Sequence, residues 1–297
     1  MLENRALLRT KELLRKRAPW VLYRLGRLAS GTVLFRRERA YLKGKLTNPG
    51  GPPSVLFFTT IRCASQRTDS VISRLFEASG GVAVNLAKYE FHSGGRKGMP
   101  VWDADHASRI LQPKGFYFGT GPIIAPDFDI SPYRVVVVVR DPRDIMVSFF
   151  YSLAHAHTPS DAKFARDAGE AREKGIEWFV RQPERLAMVG GELRDRLEKY
   201  WGREGVFAWR YEDMMRDYRG FVEKLAEYLG VGEEGRDLRE ELIEEQEGGG
   251  GAGGGENVLS HRRSGKAGQF REKLEPETAE FLTEEFGELL DGFGYER

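Results

Sequence analysis

Apolar residues follow two periodicities along this chain, and the switches between them outline its architecture. Val55-Leu56-Phe57-Phe58-Thr59-Thr60, Val135 to Val139 and Gly205-Val206-Phe207-Ala208-Trp209-Arg210 are short, nearly continuous runs. Such runs read as strands buried on both faces. Val82-Ala83-Val84-Asn85-Leu86 reads as a shorter strand. Between them the period lengthens to that of a helix. Val71, Ile72, Leu75 and Phe76 mark one helix, and Ile145, Met146, Phe149, Phe150 and Leu153 a second. Phe221, Leu225, Ala226, Tyr228 and Leu229 mark another, ended by Gly230. Apolar positions from Trp178 to Tyr200 predict one long or two broken helices, and Phe281, Leu282, Phe286, Leu289 and Leu290 a last one. Strands alternating with helices predict an α/β fold: a three-layer sandwich around a central, mostly parallel sheet. Ligands in such a sheet bind beyond the carboxyl ends of its strands.

Two of those ends carry phosphate chemistry. After the valine run, Arg140 closes the strand, Asp141 is a suitable helix N-cap and Pro142 a good first helical residue. Arg140 and, two turns into the helix, Ser148 could both face the crevice, and a guanidinium beside a hydroxyl suits a terminal phosphate. The plainer reading is that Arg140 pairs with Asp141 or Asp144 and only caps the helix. After the first strand, Ile61-Arg62-Cys63-Ala64-Ser65-Gln66-Arg67-Thr68 opens a helix whose free N–H groups and positive dipole end also suit a phosphate. The loop lacks G-x-x-x-x-G-K-[ST], and no magnesium-binding acid is evident after a strand. Both facts disfavour a kinase using a nucleoside triphosphate.

In chain order these stretches resemble sulfotransferases that use 3′-phosphoadenosine 5′-phosphosulfate (PAPS). Val139 to Tyr151 is similar to the family's V-R-D-P-R-D-x-x-V-S-x-x-Y motif, which implies that Arg140 and Ser148 hold the 3′-phosphate. The family's Pro-Arg/Lys-Ser-Gly-Ser/Thr-Thr loop for the 5′-phosphosulfate is matched by Arg62 and Ser65. Ile61 replaces its Pro, Ala64 its Gly and Gln66 its second hydroxyl. By that resemblance Arg62, Cys63, Ala64, Ser65, Gln66 and Arg67 surround the cofactor. A Tyr-Glu-Asp step also occurs in the family, which implies that Tyr211 lies near the adenine or the 5′ loop. His261 to Arg271 resembles the closing loop Arg-Lys-Gly-x-x-Gly-Asp-Trp-Lys at Arg263, Gly265, Gly268 and Arg271. Arg262, Arg263, Ser264 and Gly265 are then expected to close over the 3′-phosphate.

The resemblance covers roughly residues 55 to 295 and implies a P-loop-like nucleotide-binding architecture. It also implies PAPS as co-substrate without a metal, and sulfuryl transfer to a hydroxyl or amine with release of adenosine 3′,5′-bisphosphate. Family members with a catalytic His carry it in a Lys-Thr-His stretch. Here Phe118-Gly119-Thr120-Gly121-Pro122 corresponds, with Gly121 in the place of His. Carbohydrate-modifying relatives use a Glu soon after the second strand, which points to Glu90 as base, with His92 as the second candidate. Arg62 would stabilise charge on the bridging oxygen. A Glu-type base favours a carbohydrate or a lipid headgroup as acceptor. The rival to enzymatic transfer is a non-catalytic nucleotide- or membrane-binding module.

Charge adds an arm to this domain. The chain of 297 residues is 40% hydrophobic with a net charge of +1, which excludes a general nucleic-acid binder. Residues 1 to 48 nevertheless hold 13 Lys and Arg against 3 Asp and Glu. Their leucines recur at helical spacing, broken at Pro19. The arm therefore either lies on an anionic membrane surface or packs on the single domain expected over residues 49–297. One cysteine, Cys63, and no signal-peptide pattern point to a cytoplasmic protein, peripheral at the inner membrane face if the arm binds lipid. Residues 156–176 are polar and read as a lid, with His155 and His157 lining an acceptor pocket or exposed. Residues 244–257, acidic and then almost all Gly, read as a flexible joint.

Overall fold

The computed structural model describes residues 35–93, 101–121, 123–124, 127–156, 162–248 and 267–297. In chain order its strands are β1 (Val55–Thr59), β2 (Val82–Ala83), β3 (Val101–Trp102), β4 (Phe116–Thr120), β5 (Ile123–Ile124), β6 (Arg134–Val139) and β7 (Val206–Arg210). The helices used below are α1 (Arg36–Leu42), α2 (Ser65–Ala78), α3 (Leu86–Ser93), α4 (Ala104–Ile110), α5 (Pro142–Tyr151), α6 (Ala162–Val180) and α7 (Pro183–Lys199). They continue with α8 (Tyr211–Arg216), α9 (Tyr218–Leu229), α10 (Arg236–Gly248), α11 (Phe270–Lys273), α12 (Pro276–Glu285) and α13 (Gly287–Phe293).

The long apolar runs become strands because both of their faces are covered. In β6, Val135, Val137 and Val139 enter one apolar cluster and Val136 and Val138 the other, as a period of two requires. β1 divides the same way, Leu56 and Phe58 against Val55 and Phe57. Five strands form one sheet in the order β2-β4-β1-β6-β7, with every pairing parallel. β3 and β5 make a separate parallel pair. Helices α2, α9 and α10 cover one face, and α5, α7, α12 and α13 the other. The expected three-layer α/β architecture is present, and all carboxyl strand ends of the main sheet open at one edge.

Two elements differ from the sequence reading. The second strand stops at Ala83, and Leu86–Ser93 is helical, so Glu90 lies on α3 rather than in a loop. The segment read as a lid is helical from Ala162 onward, broken at Gly175 (φ 80°), with Ala168 and Ala171 in the core. Small residues at helical spacing allow close packing there, a signal hidden by the surrounding charges. Part of the basic arm is core: in α1, Tyr41 donates its hydroxyl to the carbonyl of Ile110 and sits edge-on to Phe116 and Phe118. Glu38 in the same helix accepts the N–H of Asn85 at 2.9 Å, which tethers α1 to the sheet edge. Residues 1–34, His157 and the glycine tract from 249 on lie outside the described residues. No helix among the described residues is long and apolar enough to cross a membrane.

Phe58, fully buried, stacks on Tyr200 with ring centroids 4.3 Å apart. Phe58→Ala is expected to cost about 3–5 kcal/mol in urea unfolding. Met188→Ala, at a 38% exposed position of α7, should stay within about 0.5 kcal/mol of the parent.

Candidate active site at the carboxyl ends of β1 and β6

The loop from β1 to α2 has a backbone that only a few residue types adopt readily. Arg62 (φ 64°) and Ala64 (φ 54°) are both left-handed, and they are the only non-glycine residues with positive φ among those described. Ala64 occupies the N-cap of α2, and its carbonyl accepts the N–H groups of Arg67 and Thr68 at 3.0 and 3.1 Å. Helix geometry leaves the preceding N–H groups pointing off the end of α2, where an anion would be received. Glycine in the family pattern falls on the residue whose conformation asks for glycine. The side-chain change at Ala64 therefore leaves the backbone cradle intact.

Side chains from three other elements hold this loop. Arg140 at the end of β6 donates to the Arg62 carbonyl at 3.0 Å. The Arg62 Nε donates to the Ser148 hydroxyl of α5 at 3.2 Å. The Ile61 N–H donates to Glu192 Oε2 of α7 at 3.2 Å. Arg62, Arg140 and Ser148, separated by up to 86 positions, thus converge at one place. Cys63 is fully buried and hydrogen-bonded to the Thr60 hydroxyl, and burial pushes its thiol up to about 12. The side chain is therefore closed to a ligand, which leaves the backbone for the part expected of Cys63 in cofactor binding. Ser65 and Arg67 are half-buried and Gln66 is exposed.

Both readings of the Arg140 segment meet in the structure. Asp141 caps α5 by accepting the N–H of Arg143 and pairs with the Arg143 guanidinium at 2.8 Å. Arg140 is only 5% exposed, lies 3.5 Å from Asp144 and stacks over the Tyr211 ring at 4.4 Å. Arg140 is thus paired with Asp144 as well as hydrogen-bonded to the loop. Asp144 is fully buried and does more than pair. It accepts the N–H of Gly268 at 2.8 Å and of Phe270 at 3.0 Å, fixing the C-terminal end of the closing segment onto α5. Burial raises the Asp144 carboxyl above its usual range against the opposing pull of Arg140. Arg262, Arg263, Ser264 and Gly265 lie outside the described residues; Gly268, three positions beyond Gly265, is anchored beside Arg140.

At the end of β7, Tyr211 is buried against Arg140, which itself donates to the loop. Its neighbour Glu212 accepts the Asp141 N–H at 3.1 Å and the Tyr295 hydroxyl at 2.7 Å. Burial raises the Glu212 carboxyl, and burial with the nearby Glu212 raises the Tyr295 phenol. On the acceptor side, the Glu90 Oε2 is buried without a hydrogen-bond partner. The side chain of His92 lies outside the described residues. His155, exposed, contacts the rings of Phe150 and Tyr151. A polar cavity of about 430 Å³ lies between α1, α2, β2, α3 and β4, lined in part by Asp69, Asn85, Lys88 and Tyr117. None of the described nucleotide-binding candidates lines it. Sequence reasoning did not single out Glu192, and it named Asp144 only as a partner of Arg140: their backbone partners are 131 and 124 positions away, and no local spacing records those ties.

A parallel sheet with a phosphate-receiving loop after its first strand defines a nucleotide-binding α/β protein. A family model described as the sulfotransferase domain matches residues 124–294, more than half of the chain, and the chain belongs to that family. The guinea pig (Cavia porcellus) 3-beta-hydroxysteroid sulfotransferase is 24% identical over 143 residues, 44% of this chain and 47% of that protein. The match spans about half the length of that curated relative. Among solved structures, mouse sulfotransferase SULT7A1 complexed with PAP shares the fold, with a TM-score of 0.51 and 14% identity over 80% of this chain and 84% of that one. Retinol dehydratase in complex with androsterone and inactive cofactor PAP gives a TM-score of 0.48 and 17% identity, over 87% and 88% of the two chains.

Two outcomes follow from the loop and its surroundings. Ala64→Gly should raise stability by about 1 kcal/mol in urea unfolding, because it relieves a left-handed alanine; a loss of stability would contradict the geometry. The folded Glu212 holds its proton more tightly than the unfolded chain does. Its contribution is therefore full below the ordinary value of 4.5 and is lost as pH rises through the folded value. Glu212→Gln should flatten the decline of unfolding free energy from pH 4.5 upward, and an unchanged slope would contradict that placement.

Proposed function

We propose that this protein transfers the sulfuryl group of PAPS to a hydroxyl or amine, releasing adenosine 3′,5′-bisphosphate (PAP). The observation that carries this reading is the convergence of Arg62, Arg140 and Ser148 beside the left-handed loop that opens α2. In this reading the loop N–H groups of residues 62–66 receive the 5′-phosphosulfate, and Arg62 balances charge as it collects on the bridging oxygen. Ser148 meets the 3′-phosphate, Arg140 adds its charge from beneath the loop, and Tyr211 and Arg67 border the nucleoside. Arg262, Arg263, Ser264 and Gly265 close over the 3′-phosphate from the segment that Asp144 anchors. A proton acceptor for the entering hydroxyl completes the chemistry, and the resemblance offers Glu90 and His92.

For the acceptor we propose a carbohydrate or a lipid headgroup, the latter in keeping with a basic arm able to sit on an anionic membrane at the inner face. The relatives named for steroid and retinol chemistry make apolar alcohols the competing acceptor class. The test is a panel of sugars, lipid headgroups and sterols offered with isotopically labelled PAPS, read by mass. A labelled sulfate ester on a sugar or headgroup is the expected product. Labelling of sterols alone overturns the acceptor proposal. PAPS left intact with every acceptor, alongside consumption of ATP, overturns the reaction.

A further inference from the structure

We propose that Glu192 is the group that takes the proton from the entering hydroxyl, an inference that rests on the sulfuryl-transfer reading above. The argument is positional. Glu192 lies on α7, which packs on the sheet face opposite α2, against α5 and β6. Its Oε2 accepts the N–H of Ile61, the residue just before Arg62, so the carboxylate touches the phosphate loop itself. At the carboxyl end of β1 the N-terminus of α2 therefore approaches from one face and a carboxylate from the other.

Transfer of a sulfuryl group brings the entering oxygen in opposite the leaving one. With the leaving oxygen held by the α2 end and Arg62, the entering hydroxyl arrives on the α7 side. One carboxylate oxygen of Glu192 is held by Ile61, which leaves the other to take the proton. The step balances: the acceptor O–H proton moves to Glu192, and the acceptor oxygen bonds to sulfur. The bond from sulfur to the 5′-phosphate oxygen breaks, and its electron pair stays on PAP.

The charged groups around Glu192 fit that duty. Burial raises its carboxyl above the usual range, which makes it a stronger base; the Ile61 N–H and then Arg196 oppose this, and Asp195 assists it. Arg196 is itself tied down, donating to the Thr59 carbonyl at 3.3 Å and paired with Asp195. Glu90 has no such tie to the loop: its helix α3 packs on β4.

Glutamine separates proton transfer from loop support, because its carbonyl oxygen still accepts the Ile61 N–H. The full chain and its Glu192→Gln and Glu192→Ala variants are to be compared with labelled PAPS, using water and the acceptor panel above, and by calorimetric titration with PAP. Glu192→Gln is expected to slow sulfuryl release by at least about 100-fold, to leave PAP affinity within twofold, and to abolish the acidic limb of the pH–rate profile. Glu192→Ala should in addition weaken PAP binding. Release by Glu192→Gln within threefold of the parent overturns the proposal. So does a loss seen only on Glu90→Gln, or a parent protein that binds PAP yet releases no sulfuryl group to any of these acceptors. Failure of the parent to bind PAP would instead overturn the underlying function.

Discussion

The site depends on a strained turn held from outside. Two left-handed side-chain-bearing residues within three positions are costly, and such backbone persists only where its surroundings over-determine it. Here Arg140 grips the Arg62 carbonyl, Ser148 receives the Arg62 guanidinium, and Glu192 accepts the Ile61 N–H. Those supports come from β6, α5 and α7, so the shape of the loop reports the assembly of the whole α5–α7 face. Inside the loop, the two buried side chains, Thr60 and Cys63, engage each other.

Charge beneath the loop is arranged in the same spirit. Arg140 and Asp144 neutralise one another out of contact with water, and Asp144 spends its remaining capacity on the backbone of Gly268 and Phe270. One carboxylate thus joins the cation under the loop to the segment expected to close over the nucleotide. Removing either partner of such a pair leaves an uncompensated buried charge, which costs far more than the pair itself contributes. Burial raises the carboxyls of Asp144, Glu192 and Glu212, the three acids packed around the loop and its supports.

Local features of this arrangement were legible in the sequence. The valine run could only be a strand covered on both sides, and Asp141-Pro142 could hardly avoid starting a helix. The phosphate-loop pattern lost its glycine at Ala64, yet the backbone there keeps the left-handed form. What stayed hidden was long-range. Whether Arg140 faced the crevice or Asp144 was undecidable from spacing, since Arg140 ends the strand just before the helix that carries Asp144. Glu192 sits in an ordinary amphipathic stretch, and its tie to Ile61 exists only once α7 lies across the sheet. The core role of Ala168 and Ala171 was masked because small residues among charges look the same in a mobile segment and in a tightly packed helix.

The central claim is that the loop after β1 and the start of α5 read the two phosphate ends of one nucleotide. Calorimetric titration of the full chain with PAP and with 5′-AMP, which lacks the 3′-phosphate, tests it most directly. PAP should bind at least about tenfold more tightly, about 1.4 kcal/mol, and Ser148→Ala should narrow that gap. Equal affinity for the two nucleotides would contradict the account.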